Sequence, residues 1–294
     1  MWGNMVDCNM CGSAGTKPLF RVKGFDLVQC VRCDLAYVSN PPDPEGLRKL
    51  YSAGESDYHS ELHDPDSAAS RRMAAIAARH LTFTRRFVTE GRLVDVGCSS
   101  GEFLLLAQKA GFDCSGIEFS EESAIEARRR TGLTVERGTL HDTTIEAGSC
   151  DVLTLFDVIE HVPDPLADLA RAFELLAPGG WLVLSTPNID GLFPRASRPL
   201  ANRLDYWPHP EPPHHLFQFS QTTLSRMVGQ AGFSVEGVRH CNIDLAYTFG
   251  TPATLARMPK RLAYAALFAP LAKLGPMLNM GDWLYMAARK PKAN

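Results

Sequence analysis

The stretch "LVDVGCSSGEFLLLA", Leu93 to Ala107, decides how the rest of this chain is read. Leu93–Val96 is a short apolar run interrupted by one acid, Asp95, the pattern of a strand buried in a sheet. Gly97 and Gly101 bracket three small residues, Cys98, Ser99 and Ser100, and an apolar helical stretch follows from Phe103. Glycine here permits a tight turn and close approach of backbone to a ligand, and the following helix offers its N-terminal amides. The spacing is D-x-G-x-S-x-G, which lacks the third glycine of the dinucleotide fingerprint. The next apolar run ends in "GIEFS", and Glu118 falls about 20 residues after the first glycine, where an acid can accept hydrogen bonds from the ribose hydroxyls of an adenosine.

Outward from this stretch, strand and helix patterns alternate. Strands are expected near residues 93–96, 114–118, 134–137, 152–156, 181–186, 234–240 and 283–289, with helices near 103–109, 121–131, 165–176 and 221–231. Alternation of this kind predicts an α/β fold: a parallel sheet with helices on both faces, its last two strands adding an antiparallel edge pair. Residues 67–89 read as a helix leading into this domain. Ahead of it, prolines mark a linker, a short helix is expected over Pro44–Tyr51, and a polar loop carries Tyr58.

Four of the eight cysteines form two C-x-x-C pairs, Cys8/Cys11 and Cys30/Cys33. The intervening segment lies within the about 15–20 residues of a four-cysteine zinc site. Each pair points two thiolates at one tetrahedral ion, and two pairs close its coordination sphere, so a zinc ion here is structural. A segment this short buries little core, and metal binding supplies the missing folding energy. A redox dithiol is the alternative. Cys98, Cys114, Cys150 and Cys241 are scattered and read as small core or loop residues. The expected organisation is a ribbon over 1–42, a linker and helical lead-in over 43–90, and a main domain over 91–294. Two inserts interrupt that domain, a proline-rich cap at 189–219 and an apolar segment at 251–280.

The chain has 294 residues, is 45% hydrophobic and 21% charged, and carries a formal net charge of −3. That balance is a poor footprint for nucleic acid, which demands a basic face. The first residues have no basic start and no apolar run, so a cytoplasmic location is expected. The apolar insert carries Lys260, Arg261 and Lys273. Three readings stay open for it: a substrate lid, a dimer surface, or peripheral contact with a membrane.

Taken together, "VDVGCSSGEF", "GIEFS", "SCDVLTLFDVIEHVPDP" and "LAPGGWLVLSTPN" resemble, in order and spacing, the motifs of class I S-adenosylmethionine-dependent methyltransferases. "CVRCDLAYVSNPPDPEGLRKLY" resembles the zinc-ribbon leader of a bacterial subgroup linked to sugar, polysaccharide or small-metabolite methylation. The resemblance implies a Rossmann-like seven-stranded methyltransferase sheet plus the small ribbon, with S-adenosyl-L-methionine and structural Zn2+ as cofactors. It implies that Asp95, Gly97, Cys98, Ser99 and Gly101 line the methionine end of the cofactor, that Glu118 holds the ribose, and that Phe119 lies against the adenine. Thr139 and Leu140 are expected at the adenine edge, with Asp142 a nearby acid. Phe156 and Asp157 end the fourth strand of the sheet, at the expected ligand crevice. Ser99 departs from the family's commonest loop, which has glycine there.

Methyl transfer from a sulfonium requires in-line alignment above all, and a general base only where the acceptor has a proton to lose. Histidine is the usual candidate. His161 in "DVIEHV" and His209, His214 and His215 in "WPHPEPPHHLFQFS" are available, and "HHLFQFS" resembles a histidine-containing family segment best matched by His215. His215 and His161 are therefore the candidate catalytic residues. A three-histidine metal site is disfavoured by the intervening prolines. Asp157 and Glu160 are read as orienting the cofactor or capping a turn. The expected reaction is methyl transfer to a small-molecule or sugar-linked acceptor, at oxygen. Carbon methylation of a nucleotide-linked sugar, RNA methylation and a non-catalytic cofactor-binding module are the alternatives.

Overall fold

A computed structural model describes residues 6–43, 45–47, 67–204, 206–207, 214–242 and 245–292. Tyr58 and His209 lie outside the described residues, as does most of the helix expected over Pro44–Tyr51, of which one helical turn at 45–47 is described.

The chain opens with β1 (Thr16–Val22), β2 (Phe25–Cys30) and β3 (Ala36–Val38). Helix α1 (Ala68–Thr84) leads to β4 (Arg92–Val96), α2 (Glu102–Lys109), β5 (Asp113–Glu118), α3 (Glu121–Thr131), β6 (Val135–Arg137), β7 (Cys150–Phe156), α4 (Pro165–Leu175) and β8 (Leu176–Pro187). Short helices α5 (Leu192–Ser197) and α6 (Ala201–Leu204) precede β9 (Phe217–Gln218), α7 (Gln221–Gln230) and β10 (Ser234–Cys241). Helices α8 (Leu245–Phe249), α9 (Pro252–Arg257) and α10 (Pro259–Leu274) then lead to β11 (Trp283–Arg289).

The main sheet has seven strands in the order β10-β11-β8-β7-β4-β5-β6. Strands β6, β5, β4, β7 and β8 are parallel, and β11 runs antiparallel between β8 and β10. The Rossmann-like α/β reading therefore holds, with the antiparallel pair at one edge. Parallel strands are covered on both faces, which is why Leu93, Val94, Leu153, Leu155, Leu182 and Leu184 are all fully buried. Strand order reverses at β4, where the chain runs outward through β5 and β6 and then returns to β7 on the other side. In open α/β sheets the ligand crevice opens at the carboxyl ends of the strands at such a point.

The ribbon does not stand alone. Its three strands continue into β9 of the proline-rich insert, in the order β1-β2-β3-β9. Ala36 pairs with Gln218 and Tyr37 with Phe217. Beneath this sheet Phe20 meets Trp207 edge-on at 4.8 Å, and the Trp207 indole donates to Ser197 Oγ. Two further bonds tie the cysteine turns to the main domain: Asn9 Nδ2 donates to Asp164 Oδ1, and Arg226 donates to the Cys33 carbonyl.

The apolar insert is partly ordinary core. Tyr264, Ala265, Phe268 and Ala272 of α10 pack on Phe193 and Phe249. Leu262, Leu267, Leu274 and Met277 remain exposed on the other side. Among the described residues no helix is long and apolar enough to cross a membrane.

Candidate cofactor cleft and metal-ligating clusters

At the end of β4 the chain turns sharply through Gly97, which holds φ +72°. A Cβ there would come within 2.5 Å of Val158 Cγ2, so both conformation and space demand glycine. The Gly97 amide bonds back to Ile117 O, and Ser99 takes φ 48° although it carries a side chain. This conformation is held by Glu118. The Ser99 amide donates to Glu118 Oε2 at 2.7 Å, and the Ser120 amide donates to Oε1 at 2.9 Å. Each carboxylate oxygen has two lone-pair directions, so an oxygen that accepts a backbone amide can also accept a ligand's hydroxyl.

Glu118 stands on the wall of a cleft of about 500 Å³ lined by Val96, Gly97, Phe119, Gly138, Thr139, Leu140, His141, Val158, His161, Val162 and Asp164, among others. Its walls are mostly apolar, and its size suits a nucleoside-sized ligand. Phe119 is 47% exposed, an open aromatic face at the rim. The Thr139 amide and hydroxyl both donate to Asp142 Oδ2, so Asp142 closes a turn behind Thr139. These bonds also hold the Asp142 carboxyl below its usual range.

Of the candidate site residues, the cleft brings together Gly97, Glu118, Phe119, Thr139 and Leu140, expected to meet a cofactor, and His161, expected to be catalytic. Cys98, Ser99 and Gly101 form the loop behind it. Asp95 is buried beneath that loop and accepts from Thr154 Oγ1 at 2.6 Å. Burial pushes the Asp95 carboxyl up to about 7, against the Thr154 hydrogen bond and helped by the Glu118 charge. Phe156 turns toward the core, where its ring lies 4.0 Å from His80 and 4.9 Å from Phe103. His80 itself is pushed down to about 3 by burial and is a neutral core residue. Asp157 Oδ1 accepts from Ser185 Oγ and from the Trp283 indole. Its φ of 57° places strained backbone at the end of β7, across the sheet from Ser99.

Sequence reasoning passed over His141 and Asp168. They face each other on the cleft wall, with His141 Nε2 2.8 Å from Asp168 Oδ1. One residue lies on the loop after β6 and the other on α4, so no local pattern pairs them.

His161 and His215 come from distant segments, yet their rings meet edge to face at 4.3 Å. His161 Nδ1 lies 2.6 Å from the His214 carbonyl oxygen. A carbonyl only accepts, so Nδ1 carries the proton and Nε2 keeps its lone pair. Burial pushes the His161 pKa down to about 4, only partly offset by that hydrogen bond, and the ring is neutral at pH 7. Buried Glu160 completes the group, with Oε2 accepting from Thr186 Oγ1 at 2.9 Å.

In the ribbon the four cysteines converge. Cys8 Sγ lies 3.4 Å from Cys33 Sγ, Cys11 Sγ lies 3.5 Å from Cys30 Sγ, and all four sulfurs fall within 4.8 Å of one another. A tetrahedral ion with metal–sulfur bonds of about 2.3 Å sets its sulfurs about 3.8 Å apart, so the cluster fits such an ion. Burial opposes ionisation of Cys30, but backbone bonds from Arg32 and Cys33 and the neighbouring thiols outweigh it and bring the thiol down to about 7.

Comparison with known proteins agrees with this geometry. The family described as "Methyltransferase domain" matches residues 63–238. A ubiquinone biosynthesis O-methyltransferase of Psychrobacter arcticus is 33% identical over 125 residues, covering 38% of this chain and 47% of that protein. This chain spans less than half the length of the ubiquinone relatives it matches. A Mycolicibacterium smegmatis protein named "Probable S-adenosylmethionine-dependent methyltransferase" is 27% identical, covering 61% of this chain and 74% of its own length. The crystal structure of an S-adenosylmethionine-dependent methyltransferase of Thermotoga maritima superposes with a TM-score of 0.55 at 19% identity, covering 83% of this chain and 99% of the other.

Proposed function

This chain belongs to the methyltransferase-domain family and is an S-adenosylmethionine-dependent methyltransferase; from that premise we propose that it methylates a hydroxyl oxygen of a small molecule. The observation that carries the reading is the pairing, in one cleft, of an amide-oriented Glu118 with a neutral His161. When bound, the cofactor supplies a methyl group already activated by its sulfonium.

The residues fit that cofactor. Glu118 presents its carboxylate to the ribose hydroxyls, Phe119 offers a face for the adenine, and Thr139 and Leu140 line the cleft beside it. Gly97 lets backbone approach where a side chain would collide. Loop residues Cys98, Ser99 and Gly101 hold that backbone in place, with Asp95 and Asp157 fixing the strand ends on either side. The cleft aligns the reactants, which accounts for several kcal/mol of the barrier, up to about 7–11. His161 lines the cleft with His215 packed against it, and this pair marks the acceptor side, where the hydroxyl loses its proton.

Oxygen is preferred over carbon because the ubiquinone relatives named above are O-methyltransferases and because the cleft offers a neutral imidazole at His161, suited to an ionisable hydroxyl. The acceptor is a small molecule or a sugar-linked one. The four cysteines hold a structural zinc ion, which sets the ribbon against α4 and β9. The formal charge of −3 disfavours a nucleic acid acceptor.

The test is transfer of a labelled methyl group to a panel of small hydroxylated acceptors, followed by mass spectrometry of the product. His215→Ala is expected to lower turnover about 10²–10⁴-fold while cofactor affinity stays within about twofold. Full turnover in that variant refutes the placement of the acceptor.

A further inference from the structure

Three ligand atoms of Glu160, His161 and His215 lie within 4.8 Å of one another, and His161 also lines the cleft. We propose that these residues bind a divalent first-row transition-metal cation, distinct from the zinc of the four cysteines, with coordination positions left open for an oxygen of the acceptor.

The geometry of each ligand supports a built site. Glu160 is fully buried; Oε2 is taken by Thr186, while Oε1 has no hydrogen-bond partner among the described residues. A buried carboxylate oxygen without a partner carries a full desolvation cost, which a cation removes. His161 donates Nδ1–H to a backbone carbonyl, which fixes the ring and aims the Nε2 lone pair. Metal-ligating histidines are held by this kind of second hydrogen bond. The backbones are locked together as well, since the amides of Leu216 and Phe217 both donate to the Glu160 carbonyl, at 2.8 and 3.1 Å. His215 is thereby placed beside Glu160 although more than 50 residues separate them.

Charge gives a second argument. Asp157 lies close enough to Glu160 to interact electrostatically with it. Among the described residues neither carboxylate forms an ion pair with a lysine or arginine. Two buried carboxylates need a counter-charge if they are to stay ionised, and a divalent ion supplies it. Two imidazoles and one carboxylate are borderline donors, which suit manganese, iron(II), cobalt or zinc better than calcium or magnesium. Three protein ligands leave room for an exogenous oxygen. An acceptor hydroxyl bound there loses its proton to solvent: the O–H bond breaks, its electron pair stays on oxygen, and the oxygen remains on the cation. This last step rests on the proposed function; the cation site does not.

Manganese(II) is the probe, because thiolates retain it poorly and the ribbon does not compete. Electron paramagnetic resonance titration of the full-length protein is expected to show one saturable manganese site. Glu160→Gln and His215→Ala, each checked for folding by circular dichroism, are expected to weaken it by about 100-fold or more. No saturable binding by the folded wild type, or equal binding by the folded Glu160→Gln variant, overturns the proposal. S-adenosylhomocysteine affinity, measured on the same samples by calorimetry, reports separately on the cofactor cleft.

Discussion

Glu118→Gln is a sharper perturbation than its small change in shape suggests. The carboxylate accepts one backbone amide on each oxygen, Ser99 N at 2.7 Å and Ser120 N at 2.9 Å. Glutamine has one carbonyl oxygen and one NH₂, so either flip sets a donor against a donor. Ser120 is buried and Ser99 only partly so, which favours keeping the Ser120 bond and turning the NH₂ toward Ser99. The Ser99 amide is then unpaired, and the loop from Gly97 to Gly101 loses the bond that holds Ser99 at its positive φ. An unmade bond of this kind costs about 1–3 kcal/mol. The lost ribose acceptor adds a further about 1.5–3 kcal/mol, the scale of hydrogen bonds to a charged group. The unpaired amide weakens the unliganded fold, while the lost ribose acceptor is expected to lower affinity for S-adenosylhomocysteine by about 10- to 10²-fold, since about 1.4 kcal/mol is a factor of ten. The unliganded protein is also expected to melt lower. Glu118→Ala removes both oxygens and is expected to bind no better than the glutamine variant. Calorimetric titration of both variants, with melting curves taken without ligand, measures the two effects separately. A glutamine variant that binds within about twofold of wild type and melts at the same temperature refutes the assigned role of the two amides.

Burial raises the Asp95 carboxyl to about 7 in the folded protein, so the native state holds its proton more tightly than the unfolded chain does. Stability from this group is complete at the acid end and falls as pH rises from about 4 to 7, by at most about 4 kcal/mol. Asp95→Asn removes that slope, and the variant's stability relative to wild type is expected to improve between pH 5 and pH 8 in urea titrations; an unchanged difference refutes the assignment. Cys33→Ser is expected to lose the zinc ion and lower the melting temperature, and metal analysis showing an unchanged zinc content refutes the four-cysteine site.

Some of this protein is written in short-range pattern. The run from Leu93 to Ala107 specifies strand, turn and helix because burial on both faces, glycine at a positive φ and apolar helical spacing are each local demands. Glu118 was legible for the same reason, since it ends the next strand at a fixed distance from Gly97. The paired C-x-x-C turns announce convergent thiols, because a turn of four residues sets its own geometry. The strands and helices of the main sheet follow from the period of their apolar residues.

Tertiary structure decided what no period encodes. The pairing of Tyr37 with Phe217 joins the ribbon to an insert near the other end of the chain, and β11 enters the sheet between β8 and β10. Phe156 faces His80 and the core rather than the cleft, because alternation along a strand assigns a side to each residue only once the sheet and its covering helices are placed. His141 meets Asp168, and His161 meets His215, through contacts whose partners lie on separate elements. The cause is common to all five: a side chain's neighbours across a sheet or cleft depend on register and strand order, and these are set by burying the whole core at once.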